Sequence, residues 1–279
     1  MKKKLSLLLV VVMILSLVLT ACGGNGSGVQ DENDNNDEVQ QSSVERIKDS
    51  GQLILGTDAD YPPFEFHALV DGKDTIVGFD IEIAKYIADE LEVELVIQDM
   101  EFDKLLGGLS TGMLDIVIAA MNPDPGRAAN FTDIYYEANL AVLVAKDNTE
   151  ITTVEDLDGK SIGVQIGTTQ EDVARETIND ADVKALGNNG DIIMNLKTNK
   201  IDAAIIEAPV AASYVSVNDD IMIVEGFELD SGSDGVAIAV KEGDDELTEL
   251  LNEMLADMKE QGLIEKWFVE ANEMVSNAL

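Results

Sequence analysis

The side chains with chemical reach in this sequence gather where strands are expected to end. Asp58, Tyr61 and Phe64 follow the run Gly51-Gln-Leu-Ile-Leu-Gly-Thr57. Phe102 opens the segment after residues 94–98, and Asn122 and Arg127 follow residues 115–120. Thr168 and Thr169 end the run that begins at Gly159, with Gln170 and Glu171 behind them. Glu207 closes the apolar stretch that begins at Ile201. In α/β sheets the loops beyond the carboxyl ends of strands form the ligand crevice, so two facing sheets would bring these groups to one cleft. Other chemistries find little support. His67 is the single histidine and Cys22 the single cysteine, which leaves no multi-histidine site and no intrachain disulfide. No Gly-x-Ser-x-Gly elbow follows an expected strand, and Walker and Gly-x-Gly-x-x-Gly patterns are missing. With 55 acidic residues, a carboxylate pair suited to glycoside hydrolysis can always be found and carries no information. No cofactor or metal is expected.

The elements that must position these groups are written twice. Residues 51–57 read as a turn and strand, residues 80–90 as an amphipathic helix with Ile81, Ala84, Ile87 and Ala88 on its apolar stripe. Residues 94–98 make a second strand, residues 102–109 a helix stopped at Gly112, and residues 115–120 a third strand. Strand, helix, strand, helix, strand is the order of a mainly parallel sheet. The second half echoes it: Gly159-Lys-Ser-Ile-Gly-Val-Gln-Ile-Gly-Thr-Thr169 answers residues 51–57. The stretch beginning Thr198-Asn-Lys-Ile-Asp202 answers Thr111-Gly-Met-Leu-Asp115. Two similar α/β lobes are the simplest account; one six-stranded sheet is the alternative. Residues 235–240 read as a further strand and residues 247–259 as an amphipathic helix, returning the chain to the first lobe. Trp267 and Phe268 behind it are read as core or hinge packing, with a partner site as the other reading.

The start of the chain is of a different kind. Lys2, Lys3 and Lys4 precede an apolar run over residues 5–19, then Leu19-Thr20-Ala21-Cys22. This is the plan of an export signal and resembles a lipoprotein signal with its lipobox, which implies cleavage before Cys22 and lipidation there. An uncleaved anchor is the alternative, though the apolar run is short against the ~20 residues of a span. Residues 23–43 are nearly free of large apolar side chains and read as a solvated tether. Their acidic run, residues 31–38, lacks the glycine and ligand spacing of a calcium loop. The expected division is therefore a signal (1–21), a tether (22–43), first-lobe segments (44–139 and 232–279) and a second lobe (140–231). A formal net charge of −37 argues against nucleic acid or an anionic membrane surface as partner.

An ordered set of motifs adds a family. Gly56-Thr-Asp-Ala-Asp-Tyr-Pro-Pro-Phe-Glu65, Val77-Gly-Phe-Asp80, Glu101-Phe-Asp103, Met121-Asn-Pro-Asp-Pro-Gly-Arg127, Phe131-Thr-Asp133 and Tyr135-Tyr136 lie in the first lobe. Leu157-Asp-Gly-Lys-Ser-Ile-Gly-Val-Gln-Ile-Gly-Thr-Thr169 and Ile201-Asp-Ala-Ala-Ile-Ile-Glu-Ala-Pro-Val-Ala211 follow in the second. Over roughly residues 45–270 the chain resembles the family-3 extracellular solute-binding proteins of amino-acid ABC transporters. The resemblance implies a two-lobed, type II periplasmic-binding-protein-like α/β fold that closes on a free amino acid and delivers it to permease transmembrane subunits. It implies a monomer, lipid-anchored through Cys22 on the extracytoplasmic face of the cell membrane, with no catalytic residues.

The resemblance also implies roles. Arg127 clamps the ligand α-carboxylate through paired hydrogen bonds. Thr169 and the amides at the helix start hold its other side, with Thr168 and Thr169 also able to act as caps. Glu207 accepts the α-ammonium. Tyr61 and Phe102 flank the ligand side chain or belong to the core, and Asp58 reaches a distal cation or braces the Tyr61 loop. Ala119-Ala-Met-Asn-Pro-Asp-Pro-Gly-Arg127 departs from the usual Ser-Gly-Met-Thr-Ile-Thr-Pro-Glu-Arg. A serine hydroxyl is lost to alanine, Ala120 remains in the wall, Asn122 replaces a hydroxyl residue and Pro123 removes a backbone donor. A basic or polar amino acid is favoured, and a cystine-like ligand stays open. A cyclohexadienyl-dehydratase-like enzyme, with Glu207 as general acid or base, and a ligand-sensing domain are the rival readings.

Overall fold

The computed structural model describes residues 41–226 and 229–278. The expected signal, Cys22 and the tether up to residue 40 lie outside the described residues. Among the described residues no helix is long and apolar enough to cross a membrane.

A first helix, Ser43–Ser50, begins where the Ser42 side chain accepts the Glu45 N–H, and ends at Gly51 with φ of 69°. Strand β1 (Gln52–Thr57) follows. The sequence reading has no strand between Thr57 and Ile76, yet β2 (Asp60–Tyr61), β3 (Glu65–Val70) and β4 (Lys73–Val77) form an antiparallel three-stranded layer there. The helix Phe79–Glu90, β5 (Glu94–Asp99), the helix Phe102–Ser110 and β6 (Ile116–Val117) complete the expected alternation. β7 (Ala129–Phe131) and β8 (Tyr136–Glu137) lead to β9 (Leu140–Ala145). The second half then runs β10 (Ser161–Gln165), helix Thr169–Thr177, β11 (Asp182–Leu186), helix Asn189–Lys197, β12 (Ala203–Glu207), helix Ala208–Val217 and β13 (Ile221–Ile223). The chain returns through β14 (Gly235–Val236) and β15 (Ala239–Lys241) to the helices Asp245–Glu260 and Leu263–Ala278.

The fold is two-lobed α/β. One sheet has the order β5-β1-β6-β15-β7 and the other β11-β10-β12-β9-β13. They share no strand, which removes the single six-stranded sheet. The expected strands are parallel: β1 to β5 and β6, β10 to β11 and β12. The remaining members, β7, β15, β9 and β13, join antiparallel. The echo between the halves has a physical cause. Asp115 accepts the N–H of Ile54 on β1, and Asp202 accepts that of Ser161 on β10, each at 2.8 Å. Each aspartate ties the third strand of its sheet to the first.

Two expected strands are shorter than read. Residues 115–120 pair only over Ile116–Val117, because Ala120 turns to φ of 44°, outside the extended region, and gives its N–H to Asp80 at 2.8 Å. Residues 235–240 split. Val236 pairs with Tyr136 in a two-stranded ribbon, whereas Ala239 pairs with Val117 and Phe131 in the first sheet. Between them the Ile238 N–H goes to Thr132 Oγ1 and the Ala237 N–H to the Met121 carbonyl. β8 and β14 are thus the paired segments on the two crossings between lobes. Their approach requires Gly235, whose Cβ would overlap the Tyr136 carbonyl.

Trp267 and Phe268 are packing residues. Trp267 meets Tyr86 edge-on, and Phe268 stacks on Tyr136 at 4.3 Å beside Phe64 and Phe79. Beneath this cluster Asp80 is fully buried and accepts the Tyr135 hydroxyl at 2.8 and 2.9 Å besides the Ala120 N–H. Asp80→Ala leaves two buried donors unpaired, at roughly 1–3 kcal/mol each. Urea unfolding should show the stability falling by several kcal/mol, whereas a loss under 1 kcal/mol would mean the network is dispensable.

Candidate functional site

The carboxyl ends of β1, β10 and β12 converge on one cavity. Its interior is nearly filled, with about 10 Å³ of room, on the order of a single water. Its lining comes from both lobes: Asp58, Tyr61, Glu65, Phe102, Ala119, Ala120 and Asn122 from the first, Gln165, Thr168, Gln170 and Glu207 from the second.

Asp58 sits just past β1. Its Oδ2 accepts the Phe102 N–H at 3.0 Å and Gln165 Nε2 at 2.8 Å, so one carboxylate oxygen joins the lobes. Burial, then the neighbouring Asp60 charge, push its pKa up to about 8. Asp60 itself accepts the Asn189 N–H and side-chain amide at 2.6 and 2.9 Å, and its carbonyl accepts the Tyr214 hydroxyl. Tyr61 Oη receives the Glu207 N–H and the Gln170 amide, both at 3.4 Å. Phe102 begins its helix with its ring under Arg127, whose guanidinium carbon lies 5.3 Å from the ring centroid.

Glu207 ends β12 and precedes the helix Ala208–Val217, so its carboxyl lies at a helix start. It is 1 % exposed, burial pushes its pKa up to about 8, and its Oε2 has no hydrogen-bond partner among the described residues. Gln170 Oε1 is likewise unpartnered among the described residues. Buried acceptors left open in a cavity call for donors.

Arg127 and Thr169 stand just outside the cavity lining. Arg127 donates from Nη2 to the Gly167 carbonyl at 3.1 Å, and burial lowers its pKa against the nearby Asp124 and Asp172 charges. Among the described residues it forms no ion pair. Thr169 donates to Asn122 Oδ1 at 2.9 Å, while Asn122 donates to the Gly235 carbonyl. Thr168 caps its helix by accepting the Glu171 N–H and donates to the Gln165 carbonyl. Arg127, Asn122, Thr168 and Thr169 therefore share one corner, at a helix N-terminus.

Seven of the nine expected ligand residues line the cavity: Asp58, Tyr61, Phe102, Ala120, Asn122, Thr168 and Glu207. Sequence reasoning passed over Gln165 and Glu65; it placed Gln170 at the cleft and noted the alanine at Ala119, without naming either as a ligand residue. Gln165 ends β10 and Gln170 sits in the first turn after the threonines, so strand-end position was a usable signal for both. Among the described residues no cluster of metal-ligating side chains occurs.

Residues 53–270 match the bacterial extracellular solute-binding proteins, family 3. An arginine-binding extracellular protein of Bacillus subtilis, ArtP, is 39% identical over 228 residues, covering 78% of this chain and 86% of that protein. The L-cystine-binding protein TcyJ of Escherichia coli is 30% identical over 232 residues, covering 81% and 85%. Among solved structures, an amino acid ABC transporter substrate-binding protein of Streptococcus pneumoniae bound to L-arginine, AbpA, superposes with a TM-score of 0.79. It is 35% identical and covers 83% of this chain and 98% of its own.

The raised carboxyls set a pH dependence. Asp58 and Glu207 bind protons more tightly folded than unfolded, where carboxyls titrate near ~4. Their contribution to stability is complete below that range and is lost as pH rises through about 8. The melting temperature of the ligand-free protein should fall between about pH 5 and 8.5, and Glu207→Gln should make that fall shallower. An unchanged slope in the variant would remove Glu207 as its source.

Proposed function

Because the chain belongs to the bacterial extracellular solute-binding proteins of family 3, we propose that it captures a free basic amino acid, arginine foremost, outside the cytoplasm and hands it to an ABC permease. The relatives it matches are named for binding, and this chain stands with them as a binding protein. One observation carries the ligand class: buried carboxyls at Asp58 and Glu207 share one small cavity. A ligand with two cationic groups neutralises both.

In this reading the α-ammonium meets Glu207 and the side chain passes between Tyr61 and Phe102 toward Asp58. The α-carboxylate takes the corner of Arg127, Asn122 and the helix start at Thr168 and Thr169. There it would compete with two bonds those donors make within the protein, Arg127 to the Gly167 carbonyl and Thr169 to Asn122. Ala120 forms a wall without a hydroxyl. The contacts of Asp58 with Gln165 and of Asp60 with Asn189 already draw the lobes together. A ligand touching both lobes deepens the closed state by its differential affinity for it, and the permease would read that closure.

The division into a signal (1–21), a tether (22–43), a first lobe (44–139 with 232–279) and a second lobe (140–231) belongs to the same proposal. So do lipidation at Cys22, which would keep a monomeric receptor at the cell surface, and the absence of nucleic-acid partners.

Mass spectrometry of the small molecule released on denaturing freshly purified protein is the direct test. One basic amino acid near one per chain is expected, and added arginine should raise the melting temperature of the stripped protein. Release of a molecule that is not an amino acid would overturn the reading. Arg127→Ala should weaken arginine binding roughly 10- to 100-fold, the loss of hydrogen bonds to a charged group, with little change in the unfolding curve. Unaltered affinity would remove Arg127 from the site.

A further inference from the structure

Strand β2 is two residues long, and successive side chains of a strand face opposite ways. Tyr61 lines the cavity, whereas Asp60 lies outside the lining and meets the second lobe. There its carboxylate commits both oxygens to one residue. Oδ2 accepts the Asn189 N–H at 2.6 Å, and Oδ1 accepts the Asn189 side-chain amide at 2.9 Å. The Asp60 carbonyl takes the Tyr214 hydroxyl at 2.8 Å. Asn189 is 1 % exposed, yet neither it nor Tyr214 lines the cavity. Donors from two helices of the second lobe thus end on one residue of the first.

Asn189 opens the helix Asn189–Lys197. The first N–H groups of a helix have no partner within it, and that end of the helix is partly positive. Inside the lobe, the Asn188 side chain serves the Asp191 N–H, which leaves the Asn189 N–H to an acceptor from elsewhere. A carboxylate from the other lobe fills that place, through charge-assisted bonds stronger than those between neutral groups. When the lobes part, Asp60 and Asn189 separate and water takes over at both. The bonds belong to the closed form alone, so their strength enters the closing equilibrium and no step that recognises a ligand group.

We propose that Asp60 is a positioning residue, a clasp outside the cavity that holds the lobes shut and sets how long any bound ligand stays, without selecting among ligands. This rests on the reading of the cleft as an amino-acid site. The apparent affinity of a ligand scales with the fraction of protein in the binding-competent state, so a weaker clasp lowers every affinity by one factor. Tyr61 and Asp60 share β2, so the strand that meets the ligand on one face carries the clasp on the other.

Titration calorimetry and stopped-flow release on the full chain would compare wild type, Asp60→Ala, Asn189→Ala and the double variant, with arginine and lysine as probes. Each single variant should weaken arginine and lysine by the same factor, roughly tenfold, through faster release and with little change in association. On arginine, the double variant should lose no more than about twofold beyond the weaker single one, because both changes remove one contact. Unchanged affinity and release would mean that the contact adds nothing to closure. A loss confined to one probe would mean that Asp60 meets the ligand, and additive losses that the two residues act apart. Each of these overturns the proposal. Should Asp60→Ala fail to fold, Asn189→Ala and Tyr214→Phe loosen the same clasp from the second lobe, and the uniform loss is required of both. If wild type binds no amino acid, the binding reading fails and takes the clasp with it. Wild-type binding with variants that release at the wild-type rate overturns the clasp alone.

Discussion

Asp80 accepts hydrogen bonds from the Tyr135 hydroxyl and the Ala120 N–H while fully enclosed by protein. Three separate stretches meet at this carboxylate: the start of the helix Phe79–Glu90, the turn that ends β6, and the strap leading to β8. The left-handed backbone at Ala120 is a conformation that costs a residue with a Cβ about 1 kcal/mol or more, and the Asp80 bond holds it. That turn forms one wall of the cavity. Because Tyr135 immediately precedes the paired crossing segments, the carboxylate that shapes the wall also anchors the approach to the hinge. Gly78 admits this arrangement: its φ is 131°, and a Cβ there would overlap the Phe64 carbonyl.

Charge in this molecule works at two ranges. The chain is strongly acidic, yet one corner beside the cavity assembles donors: Arg127 over Phe102, the Asn122 amide, and the N-terminus of the helix Thr169–Thr177. Elsewhere in the cavity lie carboxyls whose burial keeps them reluctant to ionise. A zwitterion with an additional cation fits that division, since its carboxylate meets donors and its cations meet acids. The long-range field attracts cations, and the local arrangement selects among them.

Much of this was legible in the sequence, for identifiable reasons. The matching aspartates at Asp115 and Asp202 marked equivalent strands because each binds the first strand of its own sheet. Strand-end residues marked the cleft because parallel sheets present their carboxyl ends together. The hairpin of β3 and β4 was missed. Beyond Phe66 its side chains are largely exposed, with the apolar Leu69 and Val70 adjacent and both exposed, so period-two alternation is faint, although Asp71-Gly72 with positive φ at both is a hairpin turn signal. Glu65 went unassigned because it opens that hairpin, and only the folded register sets it opposite Tyr61. Gln165 escaped for a like reason: its bond to Asp58 spans 107 positions, a separation over which local pattern says nothing.

The first sheet places β15, residues 239–241, between β6 and β7. All the strands of the second sheet, by contrast, fall within residues 140–223. As the polypeptide emerges from a ribosome or an export channel, the second sheet has its whole complement of strands while the first still has a gap in its interior. Closing that gap requires contacts of high sequence separation, which form slowly. The half that carries Asp58 and Tyr61 is therefore the last to be finished, and a chain cut short near its carboxyl end would present an open β6 edge suited to pairing with another molecule.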